Sequence, residues 1–364
     1  MGDNFKNPVI MGVFKDLRGN PMTAESIAIV GSGRMGVGIA TAVLMAGRGH
    51  ALTLIDTKKR EPGKETEALD HAREEVKANL ELLEGLGVLR ADTESLIGGL
   101  EVATGLNEAI AGHSFVFEAL PENVAIKQEF FRAIGPLIGE ETVIASATST
   151  FHLDVFWKVC ARPGNVVSAH WLNPAFLIPL VEIAFGEQTH AWASVRICDF
   201  FRNIGKIPVT MRTNPGFIVP RIQAAAMNEA IRILEEGVAT AAEIDTAIKA
   251  GFGFRLGVMG LIEFVDLGGV DILFHAGEYL HSKLGGAHYK PPRLVREKMD
   301  RAEMGPRTGK GFYDYEDVDT RALFNQKYRG FVELLHLYEQ SKNLNFSGGI
   351  VSDRPPQTGT APTK

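Results

Sequence analysis

The sequence predicts an α/β fold in which a mostly parallel sheet with helices on both faces precedes an all-helical domain. Short apolar runs alternate with amphipathic stretches up to residue 213, as in repeated βα units. A glycine-rich turn joins the first apolar run to the first helical stretch. After Pro215-Gly216 the helical period dominates and strand-like alternation stops.

These patterns divide the 364 residues into four segments. Residues 1–24 lack clear periodicity and are interpreted as an N-terminal extension. Residues 25–213 form the predicted sheet domain, and residues 214–342 form the predicted helical domain. Residues 343–364 are rich in Gly, Ser, Thr and Pro, which indicates a disordered tail.

The first elements form one βαβ unit. Residues 27–30 are a short apolar run, as expected of a strand buried on both faces. Residues 34–47 predict a helix, and residues 51–55 predict a second strand that ends at Asp56. The further predicted strands are 114–119, 142–146, 165–169, 178–184 and 206–211. The further predicted helices are 66–84, 122–138, 153–160 and 190–203 and, in the second domain, 227–237 and 241–250.

Composition excludes several classes of partner. The net charge of −6 gives no basic surface for nucleic acid. No apolar run approaches the roughly 18 residues that span a bilayer. Cys160 and Cys198 form neither a disulfide framework nor a metal-ligand spacing. We therefore expect a cytoplasmic protein with no nucleic-acid, membrane or metal partner.

A dinucleotide site is predicted between the first strand and the first helix. The spacing Gly31-x-Gly33-x-x-Gly36 permits a tight turn, a close backbone approach to a pyrophosphate, and close packing of helix on strand. The helix N-terminus adds N–H donors and the positive end of the helix dipole. A glycine-rich turn without a ligand is the structural alternative. The cofactor-binding residues expected in this loop are Gly31, Gly33, Arg34, Met35 and Gly36.

Asp56 closes the second strand, where a carboxylate accepts hydrogen bonds from the ribose hydroxyls of NAD and repels a 2′-phosphate. The sequence therefore predicts NAD rather than NADP. Lys58, Lys59 and Arg60 follow and could attract a phosphate, although a solvated basic turn is the simpler interpretation.

Polar residues at or beyond the later strands predict a catalytic site. Ser149, His170 and Asn173 lie at strand ends, and Glu182 interrupts an apolar strand. A buried carboxylate needs a partner, which a histidine supplies. A His–Glu pair beside a nicotinamide suits removal of the proton from a hydroxyl that is being oxidised. Each residue alone also has a structural interpretation, such as turn chemistry for Ser149 or a solvent-exposed edge strand for Glu182.

Several spaced motifs resemble the 3-hydroxyacyl-CoA dehydrogenase family over about residues 26 to 316. They are the loop from Gly31 to Ala40, Glu118-Ala-Leu-Pro-Glu122-Asn123 with Lys127, His170-Trp-Leu-Asn173-Pro174, Leu180-Val-Glu182, Pro215-Gly-Phe-Ile-Val and the stretch from Thr308 to Tyr315.

The resemblance implies a Rossmann-type NAD domain and a helical domain that forms the contact of a homodimer. It implies NAD-dependent oxidation of a secondary 3-hydroxyl to a ketone, on a hydroxy acid or its CoA thioester. By resemblance, His170 is the general base, Glu182 orients it, and Ser149 contacts the substrate oxygen. Glu122 and Lys127 match positions near the cofactor.

The chain also departs from the family pattern. The asparagine that follows Phe-Ile-Val in relatives is Pro220 here, and another family asparagine is Ala147. We expect Ser149, Asn173 and Pro220 to border the substrate. Residues 178–182 resemble members that act on free hydroxy acids or alcohols, such as L-gulonate 3-dehydrogenase, carnitine dehydrogenase and a pyridine-carboxylate dehydrogenase. The Gly-Phe-Tyr-Asp-Tyr stretch that ends at Tyr315 resembles the acyl-CoA members instead.

Three alternatives to a CoA-ester dehydrogenase follow. The first is a dehydrogenase of a free hydroxy acid or alcohol. The second is a decarboxylating β-hydroxyacid dehydrogenase, which the absence of lysine from residues 217–235 opposes. The third is a non-catalytic NAD-binding or crystallin-like protein, which the joint presence of Ser149, His170 and Glu182 opposes.

Overall fold

The computed structural model describes residues 24–341 except 59, 62 and 107, together with residue 344. Residues 1–23 of the predicted N-terminal extension, Lys59 and nearly all of the predicted tail lie outside these described residues. By internal contacts the chain divides into two compact units, and the division falls between Ala225 and Ala226. The sequence places the boundary earlier, at 214.

One sheet of eight strands organises the first unit. The strands are β1 (Ser26–Val30), β2 (Ala51–Asp56), β3 (Leu100–Thr104), β4 (Phe115–Glu118), β5 (Val143–Ser146), β6 (Val166–Trp171), β7 (Leu180–Phe185) and β8 (Ile207–Arg212). The helices of this unit are α1 (Arg34–Met45), α2 (Lys64–Gly85), α3 (Thr93–Ile97), α4 (Val124–Ile134), α5 (Asp154–Trp157) and α6 (Ala191–Asn203), and α7 (Val219–Glu235) begins in it.

The strand order is β3-β2-β1-β4-β5-β6-β7-β8. The six strands from β3 to β6 in this order are parallel, β7 is antiparallel to β6, and β8 is parallel to β7. The chain changes direction across the sheet between β1 and β4, and such a switch point is where open α/β sheets bind ligands. The predicted Rossmann-type, mostly parallel sheet is therefore confirmed.

The core explains why the strands read as continuous apolar runs. Ile27 and Ile29 pack on one face of the sheet with α1, α2 and α6. Ala28 and Val30 pack on the other face with α4 and α5. A strand covered on both faces needs apolar residues at every position rather than at alternate ones.

The sequence missed two elements, β3 and α3. Strand β3 lies at the edge of the sheet, and only Leu100 of its five residues is buried. A strand with one buried side chain has no apolar run to detect.

The second unit is helical, as predicted. After α7 it contains α8 (Ala241–Ala247), a π-helical turn (Ile248–Gly253), α9 (Phe254–Leu256), α10 (Leu261–Gly268), α11 (Val270–Leu284), α12 (Arg293–Asp300) and α13 (Thr320–Gln340). None of the helices in the described part of the chain has the length and apolar character that crossing a membrane requires.

Candidate active site

The glycine loop joins β1 to α1, and each glycine has a different reason to be there. Gly31 has φ of 115°, and a Cβ on it would lie 2.5 Å from the Ala119 carbonyl oxygen. A Cβ on Gly36 would lie 1.7 Å from the Gly31 carbonyl oxygen. At Gly33 a Cβ would meet no atom within 4 Å. The protein's own packing therefore explains Gly31 and Gly36, whereas Gly33 leaves open space for a ligand.

The same loop fits a pyrophosphate. Gly33 is the N-cap of α1, and no side chain caps this helix end. Arg34 is exposed and Met35 is half-buried at the first turn. Backbone donors and open space at a helix N-terminus are what a dinucleotide phosphate requires, and the exposed Arg34 adds a positive charge there.

Asp56 ends β2 at the same edge of the sheet and is buried. Its Oδ1 accepts a hydrogen bond from the Lys58 amide at 3.1 Å, and its Oδ2 accepts one from Arg60 Nε at 2.8 Å. Arg60 is thus paired with the carboxylate rather than simply solvated. The ribose-binding position predicted for Asp56 carries a guanidinium beside it.

A buried ion pair closes the end of β4. Lys127 Nζ donates to both Glu118 carboxylate oxygens, at 2.7 and 2.9 Å, and the Ser146 hydroxyl donates to Glu118 Oε2 at 2.5 Å. Lys127 Nζ also lies 3.5 Å from Glu122 Oε2. Because Lys127 is 1% exposed, it supports the strand end from within; its predicted contact with the cofactor stays a prediction.

Glu122 holds the loop that carries Ser149. Its Oε1 accepts hydrogen bonds from Thr148 Oγ1 at 2.7 Å, the Ser149 amide at 2.9 Å and Ser149 Oγ at 3.2 Å. The amide and hydroxyl of Thr150 add two more. Burial alone would raise the pKa of Glu122, but the Thr148 hydroxyl and the Lys127 charge outweigh burial and lower it. The carboxylate therefore stays ionised as an acceptor.

His170 and Glu182 are brought together by strand register. They are directly opposite residues of the antiparallel pair β6–β7. His170 Nδ1 lies 2.7 Å from Glu182 Oε2, and the two side chains are 10% and 1% exposed. Strands flank β7 on both sides, so the edge-strand alternative for Glu182 is wrong.

Glu182 also receives the start of α7. Its Oε1 accepts hydrogen bonds from the amides of Ile218 and Val219, both at 2.9 Å. These amides lie at the N-terminus of α7, where backbone N–H groups have no intrahelical acceptor. Burial would raise the pKa of Glu182, but the bond with His170 and the two amide bonds outweigh burial and lower it. A carboxylate that stays charged can both orient His170 and stabilise its protonated form.

Phe217 covers the histidine from the α7 side. The two rings stack with centroids 5.0 Å apart and 27° between planes. Phe217 has φ of 48°, an uncommon left-handed conformation for a bulky residue, directly after Gly216 at φ of 82°. His170 Nε2 makes no hydrogen bond to the described residues, so this nitrogen is the one free to receive a proton.

The other predicted substrate residues lie near these elements. Asn173 follows β6 with an exposed side chain and a cis peptide bond to Pro174. Pro220 is the second residue of α7, where its missing N–H costs no helical hydrogen bond. Among the described residues no hydrogen bond joins Ser149 to His170, and their joint contact with a substrate stays a prediction.

Sequence reasoning assigned no role to Glu118, Phe217 or Lys206, although the first two stand within the family motifs. Glu118 carried the same kind of signal as Glu182, a carboxylate in an otherwise apolar strand. Phe217 followed a Pro-Gly breaker, which indicated a boundary but not a contact with His170. Lys206 gave no local signal, because its partners are backbone carbonyls about 30 positions away.

Two family models match the chain. The model described as 3-hydroxyacyl-CoA dehydrogenase, NAD binding domain, matches residues 26–214. The model of the C-terminal domain of the same family matches residues 216–315.

Individual proteins extend the similarity. A 5-formyl-3-hydroxy-2-methylpyridine 4-carboxylate 5-dehydrogenase of Mesorhizobium japonicum is 30% identical over 86% of this chain and 98% of that relative. A probable 3-hydroxybutyryl-CoA dehydrogenase of Bacillus subtilis is 31% identical over 81% of this chain and 99% of that relative. The crystal structure of a 3-hydroxyacyl-CoA dehydrogenase of Archaeoglobus fulgidus, at 27% identity, covers 87% of this chain and 100% of its own, with a TM-score of 0.69.

Proposed function

The chain belongs to the 3-hydroxyacyl-CoA dehydrogenase family of NAD-dependent oxidoreductases, and from that premise we propose that it oxidises a secondary 3-hydroxyl to a ketone with His170 as the general base. The observation that carries this proposal is the buried His170–Glu182 pair, whose free ring nitrogen lies on the side away from the carboxylate. We assign Glu182 to orient the ring and Ser149 to contact the substrate oxygen.

Each residue has a defined task in this proposal. NAD, when bound by the glycine loop and Asp56, supplies the acceptor for the hydride that leaves the substrate carbon. His170 Nε2 takes the hydroxyl proton, and Glu182 stabilises the charge that the ring then carries. Phe217 fixes the plane of the ring and keeps water from one of its faces. Glu122 orders the loop that carries Ser149, so that the Ser149 hydroxyl is already in position when substrate binds.

The nature of the substrate is the second part of the proposal. The relatives include a CoA-ester dehydrogenase by name and a pyridine-carboxylate dehydrogenase by name. The leading candidate is a 3-hydroxyacyl-CoA ester. A free hydroxy acid is the alternative, and Pro220 favours it because proline cannot provide the amide side chain that relatives place there.

A substrate panel followed by NADH absorbance tests both parts. The panel pairs 3-hydroxyacyl-CoA esters with the corresponding free acids and adds carnitine and cyclic hydroxy acids. We expect NADH to form with at least one member of the panel. His71→Ala is the control for substitution of His170, because the His71 side chain is 73% exposed, and this variant should turn over like the parent. If NAD binds but no member of a broad panel is oxidised, the non-catalytic alternative replaces this proposal.

We also propose that the protein is a homodimer formed through the helical unit, in the cytoplasm. In this unit α8 and α13 bury no residue, and neither does α7, which leads into it. Met227, Ile231 and Leu234 form an exposed apolar stripe along α7, at 63%, 54% and 40%. Such a stripe marks an interaction surface, and the family resemblance makes a second copy of the chain its partner.

A further inference from the structure

Lys206 is a buried cation that the proposed reaction leaves without a role. It lies between α6 and β8 and is 3% exposed. Its Nζ donates to the carbonyl oxygens of Ala175 at 2.7 Å, Ile178 at 2.9 Å and Phe176 at 3.3 Å. No carboxylate lies within ion-pair distance among the described residues, and the only charge-related contact is with the face of Trp171, at 5.7 Å.

Burying the Lys206 ammonium without a counter-charge costs free energy, which indicates that the side chain has a specific role. Burial without a counter-charge lowers the pKa of Lys206 to about 8. A buried ammonium is retained only where its hydrogen bonds do something that an apolar side chain cannot do. Here the three carbonyl oxygens accept no other hydrogen bond from the described residues, so Lys206 alone satisfies them.

The three carbonyls belong to the connection between β6 and β7, residues 172–179. This connection joins His170 to Glu182 and carries Asn173. Its far side packs on α1, because a Cβ on Gly38 would lie 3.2 Å from Ala175 Cβ. The connection is therefore held between Lys206 on one side and the helix that follows the glycine loop on the other.

We propose that Lys206 is a positioning residue, whose ammonium fixes the β6–β7 connection so that Asn173 borders the substrate and β7 presents Glu182 to His170. Lys206 does not touch the substrate, because its donors are all directed at backbone oxygens and its side chain is buried. The effect on turnover rests on the proposed function, but the effect on the connection does not.

Three variants test the proposal. Lys206→Met keeps the length and removes the charge and the donors. Lys206→Arg keeps the charge and restores part of the hydrogen bonding. Lys158→Met, at a lysine whose side chain is 73% exposed, is the matched control.

The first readout is hydrogen–deuterium exchange of the full-length protein. In Lys206→Met we expect the amides of Leu177 and Ile178 to exchange roughly tenfold faster or more, because hydrogen bonds from a charged donor are among the strong ones. Lys206→Arg should exchange at an intermediate rate and Lys158→Met like the parent. Unchanged exchange in Lys206→Met would overturn the proposal, whether or not the protein is a dehydrogenase.

The second readout separates positioning from general loss of structure. With 3-hydroxybutyryl-CoA as probe, kcat/KM of Lys206→Met should fall roughly tenfold while the Kd for NADH stays within about twofold of the parent value. A parallel loss of NADH affinity, with faster exchange throughout the sheet, would overturn the proposal in favour of a purely structural role. A parent that is inactive on every substrate contradicts the proposed function instead and leaves the exchange result to decide on Lys206.

Discussion

At the residue scale, the site consists of short polar contacts, made by buried side chains at His170 and Glu182 and by an exposed side chain at Glu122. The His170–Glu182 pair was predictable, because a carboxylate in an apolar strand needs a partner and a histidine closed the preceding strand. The contact of Glu122 with Ser149 was not, because it joins two loops that follow different strands. Only the tertiary fold places such loops side by side.

The central prediction concerns His170. Replacing His170 with Ala should lower kcat by about 10²–10⁴, the usual contribution of a general base. Glu182→Gln should have a smaller effect, because glutamine retains an acceptor for the Ile218 and Val219 amides. The Kd for NADH should change little in either variant, since neither residue lies in the glycine loop. A His170→Ala enzyme with near-parental turnover would show that another group takes the proton.

A second prediction at this scale concerns cofactor choice. Asp56→Ala should narrow the preference for NAD over NADP by about tenfold or more, because it removes the carboxylate that repels a 2′-phosphate and releases Arg60 to bind one. Isothermal titration with both dinucleotides measures the effect. The double variant Asp56→Ala/Arg60→Ala is the control and should lose the gain in NADP affinity. If the single and double variants bind NADP equally, Arg60 has no part in the selection.

At the element scale, lengths and types of most strands and helices followed from apolar periodicity, whereas strand direction did not. Apart from Glu182, the run from Leu180 to Phe185 is apolar on both faces, and a buried antiparallel strand and a buried parallel strand then have the same pattern. The antiparallel direction of β7 is nevertheless what sets Glu182 opposite His170. The attachment of the start of α7 to Glu182 was not predicted.

The first turn of α7 carries the prediction on substrate preference. Pro220→Asn should raise kcat/KM for 3-hydroxybutyryl-CoA by about threefold to tenfold, which is the value of one neutral hydrogen bond of about 0.5–1.5 kcal/mol. Pro220→Ala is the matched control, because it restores the backbone N–H without adding an amide side chain. A gain of the same size in both variants would indicate that proline affects the helix rather than the substrate.

At the scale of the whole molecule, composition and charge predicted which classes of partner the protein lacks. The division into a sheet domain and a helical domain was predicted from the end of strand-like alternation near Pro215. The way the helical unit completes its core was not visible. Few large apolar side chains are buried among its described residues: Met259, Val270, Val295 and Tyr315. A unit with so small a core of its own is expected to depend on association.

The prediction at this scale concerns dimer formation. The parent should sediment as a dimer, and Ile231→Glu should raise the dissociation constant by at least about tenfold, because it places a charge in the apolar stripe of α7. Val195→Glu is the control. Val195 lies on α6 of the first unit and is 61% exposed, compared with 54% for Ile231, and this variant should remain dimeric. A parent that is monomeric at micromolar concentration would contradict the dimer.

The buried Lys206 predicts how stability depends on pH. Its pKa is lowered from 10.5 to about 8, so the unfolded chain binds a proton more readily than the folded protein between these values. Stability should therefore rise as pH increases through this window, by up to about 3 kcal/mol. Urea unfolding at both ends of the window, compared with Lys206→Met, isolates this contribution. An identical pH dependence in parent and variant would contradict the lowered pKa.

The hydrogen bonds from the Ile218 and Val219 amides to Glu182 limit where the two domains can be recombined with those of other family members. The model of the NAD-binding domain ends at 214 and that of the following domain begins at 216, which suggests two interchangeable modules. Yet the two amides that bind the Glu182 carboxylate lie just past that junction. A chimera spliced at 215 would take His170 and Glu182 from one parent protein. It would take Phe217 and the two amides that bind Glu182 from the other parent protein. Recombination that preserves activity should therefore favour crossovers beyond Val219.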